Sequence, residues 1–447
     1  MMPFAEIPLR EPVPALRRAI AHPVARNAMG LYAVQFGGYV IPLAVVPYLA
    51  RVLRPDGFGL LVFAQSFAVA ASLTIEYGFG LSATREMARA REHAATMAEL
   101  ISGVQGAKAV LSIGLLLVAA LAALAIPNFR HHGEYLAWAL LSAVAMGFSP
   151  FWYYQGRERM TGAAVTDLVC RALGALLVLA VVRAENDGWK ALMAQAIAGC
   201  GCTLLLSARM YRETPFRRLE WRHTLRALRT GRDMFLFRGA YNFYSSANAF
   251  ILGMFAAPLQ VGYFGGAERI ARAVQSLTQP VSQAVYPRVS HLAVRSAARA
   301  AWVVRLTIAA ATAAGFGLGV GLALAAPWLT AKFLGPAYAA SVSVLAIFAM
   351  VIPVNAANTA LIMHWALPSG RDRSVTAITM GAIAINLAGA AALAPRFAHI
   401  GMAWAILMAE GCKLLALSAI LIRHGLFAVE VKRSFAAGEL QSPGAGV

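Results

Sequence analysis

The chain has 447 residues, of which 60% are hydrophobic and only 13% charged, and its mean hydropathy is +0.64. A soluble globular chain is about 45–50% apolar and about 25% charged, so this composition excludes a disordered protein and argues against a soluble nucleic-acid binder. Lys and Arg number 39 against 20 Asp and Glu, a net charge of +19, and apolar character with excess positive charge points to a polytopic membrane protein whose cations sit mostly in loops.

In chain order, Arg10, Arg17, Arg18 and Arg26 precede the first apolar run. That run is too long for a signal peptide and shows no clear small-residue cleavage site, so it reads as a retained first helix. A membrane span needs about 20 mostly apolar residues. Twelve such segments are legible, near 28–53, 57–84, 107–127, 135–155, 161–182, 190–208, 234–257, 261–286, 305–326, 339–366, 374–394 and 399–422. Three carry internal charges of both signs: the fifth (Asp167, Arg171), the eighth (Glu268, Arg269, Arg272) and the twelfth (Glu410, Lys413). The fold expected is all-α, and a plain hydropathy window could miss the eighth span.

Charge bookkeeping supports the eighth span. With the N-terminus in the cytoplasm, 28 of the 39 basic residues fall in inside segments, seven outside and four within spans, as positive residues favour the inside. Removing the eighth span would invert every later loop. Both termini are therefore expected in the cytoplasm. An internal repeat agrees: Pro55, Gly59, Arg85 and Pro150 recur 203 residues later as Pro258, Gly262, Arg288 and Pro353. The expected organisation is a cytoplasmic segment (1–27), a six-helix lobe (28–208), a basic linker (209–233), a second six-helix lobe (234–422) and a cytoplasmic tail (423–447). An even number of crossings per half makes the lobes parallel repeats, related by a pseudo-two-fold along the membrane normal. The stretch 209–238 holds nine arginines and suits an amphipathic helix on anionic lipid.

Several chemistries are not supported. Cys170, Cys200, Cys202 and Cys412 lie in apolar stretches and read as small packed side chains. The histidines form no ligand cluster, so no metal is assigned. Outside loops are short, the longest near 327–338, and no nucleotide fingerprint is legible. These features argue against an ATP-driven pump and against an enzyme with an external catalytic domain.

Ionisable residues inside spans are costly and usually face an interior or an aqueous cavity. On the eighth span Glu268 and Arg272 are i,i+4, and Gln275, Ser276 and Gln279 continue the polar face. Two arginines against one glutamate suit an anion such as a phosphate; the alternative is a closed Glu268–Arg272 pair that only positions helices. Asp167–Arg171 and Glu410–Lys413 are either cavity charges or self-neutralising structural pairs. Glu76 has no basic residue within one turn on its own helix. It is either a proton-binding carboxylate or a group near the cytoplasmic end, paired with Arg85 or capped by backbone. Tyr241, Ser245 and Asn248 share a face one turn beyond Arg238 and either line a sugar passage or join helices by hydrogen bonds. Pro42, Pro47, Pro150, Pro280 and Pro353 mark candidate kinks.

Four motifs carry a family resemblance: Tyr48–Gly59 (YLARVLRPDGFG), Tyr77–Glu86 (YGFGLSATRE), Phe151–Met160 (FWYYQGRERM), and Gly262-Tyr-Phe through Pro280–Arg288 (PVSQAVYPR). The chain resembles the Wzx-type polysaccharide/oligosaccharide flippases of the multidrug/oligosaccharidyl-lipid/polysaccharide exporter superfamily over roughly 28–425. The resemblance implies two lobes around a cavity that opens alternately to each membrane face, as in multidrug exporters of that superfamily. It implies a substrate of sugar repeat units linked to lipid diphosphate, usually undecaprenyl diphosphate, for O-antigen or exopolysaccharide. It also implies no organic cofactor, a coupling ion (H+ or Na+), an inner-membrane location, and a polymerase and chain-length protein as further partners. Arg54 departs from the family, where Gly often precedes Pro55, as does Glu76, where Asp is common. The similar peptidoglycan lipid flippases typically have fourteen spans. On this reading Arg269, Arg272, Arg171, Arg238 and Lys413 hold the anion. Tyr241, Ser245, Asn248, Gln275 and Gln279 line the cavity, and Glu76, Asp167, Glu268 and Glu410 couple or pair. The rivals are a multidrug/cation antiporter, which needs an acidic cavity, and a membrane-bound polysaccharide polymerase or glycosyltransferase, which needs a catalytic loop or domain.

Overall fold

A computed structural model describes residues 23–235, 246–277 and 297–424, and these are helical with no strand among them. In chain order the helices are α1 (Pro23–Glu76), α2 (Phe79–Ala90), α3 (Ala94–Ala125), α4 (Pro127–His131), α5 (Gly133–Gly147), α6 (Phe151–Gly156) and α7 (Met160–Val181). They continue with α8 (Gly188–Glu213), α9 (Trp221–Met234), α10 (Asn248–Phe255), α11 (Pro258–Ser276), α12 (Ala297–Leu329), α13 (Ser341–Leu361) and α14 (Asp372–His424). Among the described residues, eight helical stretches are long and apolar enough to cross a membrane. Two of them, Ala44–Ala90 and Asp372–Arg423, contain 47 and 52 residues, or about 70 and 78 Å at 1.5 Å per residue. That is more than twice a ~30 Å hydrocarbon core, and both are broken by residues at positive φ: Arg54 (54°), Tyr77 (47°) and Gly78 (75°) in the first, Ala398 (47°) in the second. The charged helix α11 is not among the eight, as its composition led one to expect.

Proline positions differ in effect. Pro150 sits in the interruption between α5 and α6, whereas Pro353 lies inside an unbroken α13. There Gly315 and Gly319 of α12 bring the two backbones together against Pro353, close packing of the small-residue kind. Two segment limits also move. α3 begins at Ala94, well before its apolar run, because a hydropathy window marks where a helix becomes apolar and not where it starts. α8 runs on to Glu213, so the linker is an extended stretch followed by α9. α9 packs on α3, with the Thr224 side chain against Gly106 and the His223 carbonyl against Gly103, and it leaves Arg222, Arg226 and Arg229 exposed. Cys170 and Cys202 are buried, but Cys412 is exposed, on the outer face of α14 and not packed inside.

The repeat meets itself where α1 and α11 cross. A Cβ on Gly59 would collide with the Pro258 carbonyl oxygen, and a Cβ on Gly262 would collide with that of Pro55. Residues 203 apart thus make the same contact in both directions, as equivalent residues do across a two-fold axis. Below this crossing Gly265 meets Val62 and Gly253 meets Phe63, and Phe63, Phe67, Phe129 and Phe250 pack together with centroids 4.7–5.3 Å apart along the chain of contacts. Gly262→Val drives two methyl groups into a main-chain carbonyl that cannot rotate away. The expected cost is about 3 kcal/mol or more, visible as loss of the monodisperse peak in fluorescence-detected size exclusion.

Arg54 explains its own departure from the family pattern. Its φ of 54° and ψ of 176° lie in a region that is essentially glycine's, while an exposed ion pair to Glu185 at 2.6 Å holds its side chain. Strain there is about 1–3 kcal/mol, and an exposed pair returns at most about 1 kcal/mol. Arg54→Gly should therefore stabilise the chain by about 1 kcal/mol, read as a small rise in apparent Tm.

Candidate functional site

α11 carries three charges near its middle, Glu268, Arg269 and Arg272. At 100° per residue, Arg272 lies between Glu268 and Arg269 around the helix axis. Arg272 donates to Glu268 at 2.8 Å; its side chain is 48% exposed and that of Glu268 only 12%. Arg269 turns toward α1, where its guanidinium donates to Gln65 Oε1 and lies 4.9 Å from the centre of the Phe58 ring. Gln65 in turn donates to Gln195 of α8 at 2.9 Å, so one arginine ties three helices through neutral amides. A guanidinium has five donors, and Arg269 spends one on Gln65 with no carboxylate within ion-pair distance among the described residues. Eleven residues after Pro258, it lies about 17 Å along the helix, near half the thickness of a hydrocarbon core. Two cations and one carboxylate leave this patch positive. Gln275 is half-buried one turn further on.

The remaining expected site residues separate into distinct settings. Arg171 donates to Asp167 at 2.7 Å on its own helix, with the arginine 59% exposed. Glu410 and Lys413 are buried together: Lys413 Nζ lies 2.6 and 2.8 Å from the two carboxylate oxygens, and Asn358 of α13 donates to Glu410 Oε2 at 2.8 Å and to its backbone carbonyl at 3.0 Å. This cluster joins α13 to α14 inside the helix packing. Glu76 accepts from the Gly80 amide at 3.1 Å, a backbone cap where α1 gives way to α2 through the positive-φ residues Tyr77 and Gly78. Asn248 is buried at the start of α10, with Oδ1 unbonded among the described residues. Arg238, Tyr241, Ser245 and Gln279 lie outside the described residues.

Sequence reading missed Gln65, Gln195 and Lys108. Gln65 stands 203 residues before Glu268, so the repeat itself could have drawn attention to it. Lys108, at the edge of the third expected span, is one of the 28 basic residues that the charge bookkeeping counts inside, yet the structure buries it completely in α3, with Nζ 3.4 Å from the Ser149 carbonyl. The FWYYQGR motif is structural. Tyr153 reaches Glu213 and Thr214 at 3.2 Å, Tyr154 donates to the Leu206 carbonyl at 2.6 Å, and Arg157 pairs with Glu213. These contacts close the end of the bundle where α6, α7 and α8 meet. Nearby, Arg217 binds Glu99 at 2.5 Å, so many of the basic residues that composition makes conspicuous serve to tie loops.

These features define a multi-pass helical membrane protein. The chain matches the family described as "Polysaccharide biosynthesis protein" over residues 24–293, more than half its length, and belongs to that family. It is 26% identical over 402 residues to a protein of Escherichia coli (strain K12), covering 89% of this chain and 96% of that one, and 26% identical over 396 residues to one of Shigella dysenteriae. Both are named "Putative O-antigen transporter". Among solved structures it is similar to the lipid II flippase MurJ in an inward closed conformation, with a TM-score of 0.70, 11% identity and 93% of each chain covered. It is also similar to an inward-facing multidrug resistance MATE family transporter of the MOP superfamily, with a TM-score of 0.56, 14% identity, and 90% of this chain and 100% of that one covered. These two likenesses establish the fold.

Proposed function

We propose that this protein is a flippase that moves a lipid-diphosphate-linked oligosaccharide, an O-antigen or exopolysaccharide repeat unit, from the cytoplasmic to the periplasmic leaflet by alternating access. The observation that carries this reading is the Arg269–Arg272 patch on α11, positive and near half-membrane depth. A planar fork of donors suits a diphosphate, the part that lipid-linked sugars share. Two relatives aligned over most of this chain carry an O-antigen transporter name, and a lipid II flippase has a similar fold. The full organisation we propose is twelve crossings in two six-helix lobes, 28–208 and 234–422, joined by the linker 209–233. Both termini face the cytoplasm at the inner membrane, with H+ or Na+ as the coupling ion. Arg171 and Arg238 remain accessory candidates for the anion, and Glu76 for coupling.

A multidrug exporter is the second reading, favoured by the MATE-like fold, but cationic drugs call for an acidic site and α11 is net positive. The polymerase and glycosyltransferase readings lose ground because the relatives are transporters by name. The test is transport of a lipid-linked oligosaccharide in proteoliposomes, with and without an imposed proton or sodium gradient. We expect movement that the gradient accelerates. Equal rates would remove the coupling, and export of cationic dyes without any lipid movement would replace the function.

A further inference from the structure

At the end of the bundle opposite the FWYYQGR contacts lies a cavity of about 850 Å³. α8 separates the two ends, with Gly188 at the cavity and Glu213 at the far contacts, about 39 Å apart for a 26-residue helix. Segments far apart in sequence converge there: the break in α1, the start of α5, the α7–α8 turn and the start of α11. In the charge bookkeeping all of these belong to the outer face. The walls combine three aromatic rings, Tyr135, Trp189 and Tyr263, with three carboxylates, Asp56, Glu134 and Glu185. Arg54 is the one arginine or lysine among the lining residues, and it is bonded to Glu185 at 2.6 Å. Glu134 has His132 at 3.7 Å, while Asp56 is exposed with no ion-pair partner among the described residues.

This is the chemistry of a carbohydrate site. The electron-rich face of an aromatic ring attracts the C–H face of a sugar, and a carboxylate accepts hydrogen bonds from two neighbouring hydroxyls. The volume falls within the range of small-molecule sites, about 300–1,000 Å³. The same lining repels a diphosphate. α11 joins this cavity to the cationic patch: Tyr263 is in its wall, and Arg269 and Arg272 follow six and nine residues later, about 9 and 14 Å along the axis. A molecule with hydroxylated rings at one end and a diphosphate at the other matches both halves of that helix.

We propose that this outer vestibule is a carbohydrate-binding site that receives the glycan end of the substrate while the diphosphate stays on α11. The proposal rests on the flippase reading for its ligand and its sidedness. The probe is the free repeat-unit oligosaccharide of the source strain, released from its diphosphate by mild acid, added to the full chain in nanodiscs and followed by saturation-transfer NMR. We expect binding that weakens at least tenfold in Trp189→Ala and in Asp56→Asn, with inorganic diphosphate failing to compete. The second variant changes an exposed side chain and guards against a folding defect in the first. Absence of binding to the wild-type chain, binding at the wild-type level by both variants, or competition by inorganic diphosphate would each overturn the proposal. In a chain whose four native cysteines are serine, Asn186→Cys should react with an impermeant maleimide in intact cells and be protected by the oligosaccharide. Labelling only after the cells are opened would put the cavity on the wrong side and overturn it too. If lipid-linked substrate is transported while the free oligosaccharide does not bind, the vestibule fails and the flippase stands. If no lipid-linked substrate moves at all, the flippase reading itself has failed.

Discussion

Arg272→Ala is expected to abolish surface polysaccharide in a strain lacking its own copy of this protein, while the variant still inserts at wild-type level. Arg272 is half-exposed and its partner Glu268 largely covered, so truncation removes a cation from the accessible side of α11 without opening a cavity in the core. Two hydrogen bonds to a charged group are worth about 1.5–3 kcal/mol each, so losing a bidentate contact lowers transport by at least about 100-fold. Arg272→Lys should recover only part of the activity, because an ammonium is a point charge without the planar fork. Two further variants separate an anion-binding role from a helix-positioning one. If the Glu268–Arg272 pair only holds helices, Glu268→Gln should be as damaging as Arg272→Ala, and the double variant should recover. If Arg272 binds the diphosphate, Glu268→Gln keeps substantial activity and the double variant stays inactive. Normal polysaccharide from Arg272→Ala would remove this arginine from the mechanism.

How far the sequence reaches depends on the kind of interaction concerned. α11 fails a hydropathy test, and only the arginines on either side of it argued for a span there; the structure shows a helix over Pro258–Ser276. The Pro-x-x-x-Gly repeat was visible as spacing, and the structure shows that its two copies touch. That contact is symmetric, so a repeat in sequence could hint at it. Gln65 and Gln195 gave no such signal. A neutral amide in an apolar run has no distinctive partner until another helix supplies one. Lys108 misled for a related reason: it sits just ahead of an apolar run and looks like a boundary charge, but the helix begins at Ala94 and carries it into the packing. The cavity lined by Asp56, Glu134 and Glu185 was the least legible feature. Residues 54–57, 132–135, 185–189 and 258–263 share no local pattern, and only the tertiary fold gathers their carboxylates and rings around one space. The Glu410–Lys413 pair shows the opposite limit. Its i,i+3 spacing announced an ion pair, but spacing is silent on whether the pair meets substrate or other helices.

That pair yields the largest stability effect expected in the chain. Glu410→Ala leaves the Lys413 ammonium buried without its counter-charge, and Asn358 Nδ2 without one of its two acceptors. Removing one partner of a buried pair typically costs about 3–5 kcal/mol, enough to collapse the yield of folded protein in detergent. Replacing both partners with apolar residues of similar volume, Glu410→Leu with Lys413→Met, removes both charges together. Asn358 still donates to the backbone carbonyl at position 410, a bond at 3.0 Å that no side-chain change deletes. The double variant should therefore regain most of the lost stability, to within about 1–2 kcal/mol of the wild type, as buried pairs elsewhere are often replaceable by well-packed apolar side chains. Thermal unfolding of Glu410→Leu, Lys413→Met and the double variant measures the coupling between the charges directly. If the double variant is as unstable as Glu410→Ala, this site holds α13 and α14 together by hydrogen-bond geometry and not by charge balance, and the Asn358–Glu410 side-chain bond becomes the group to vary next.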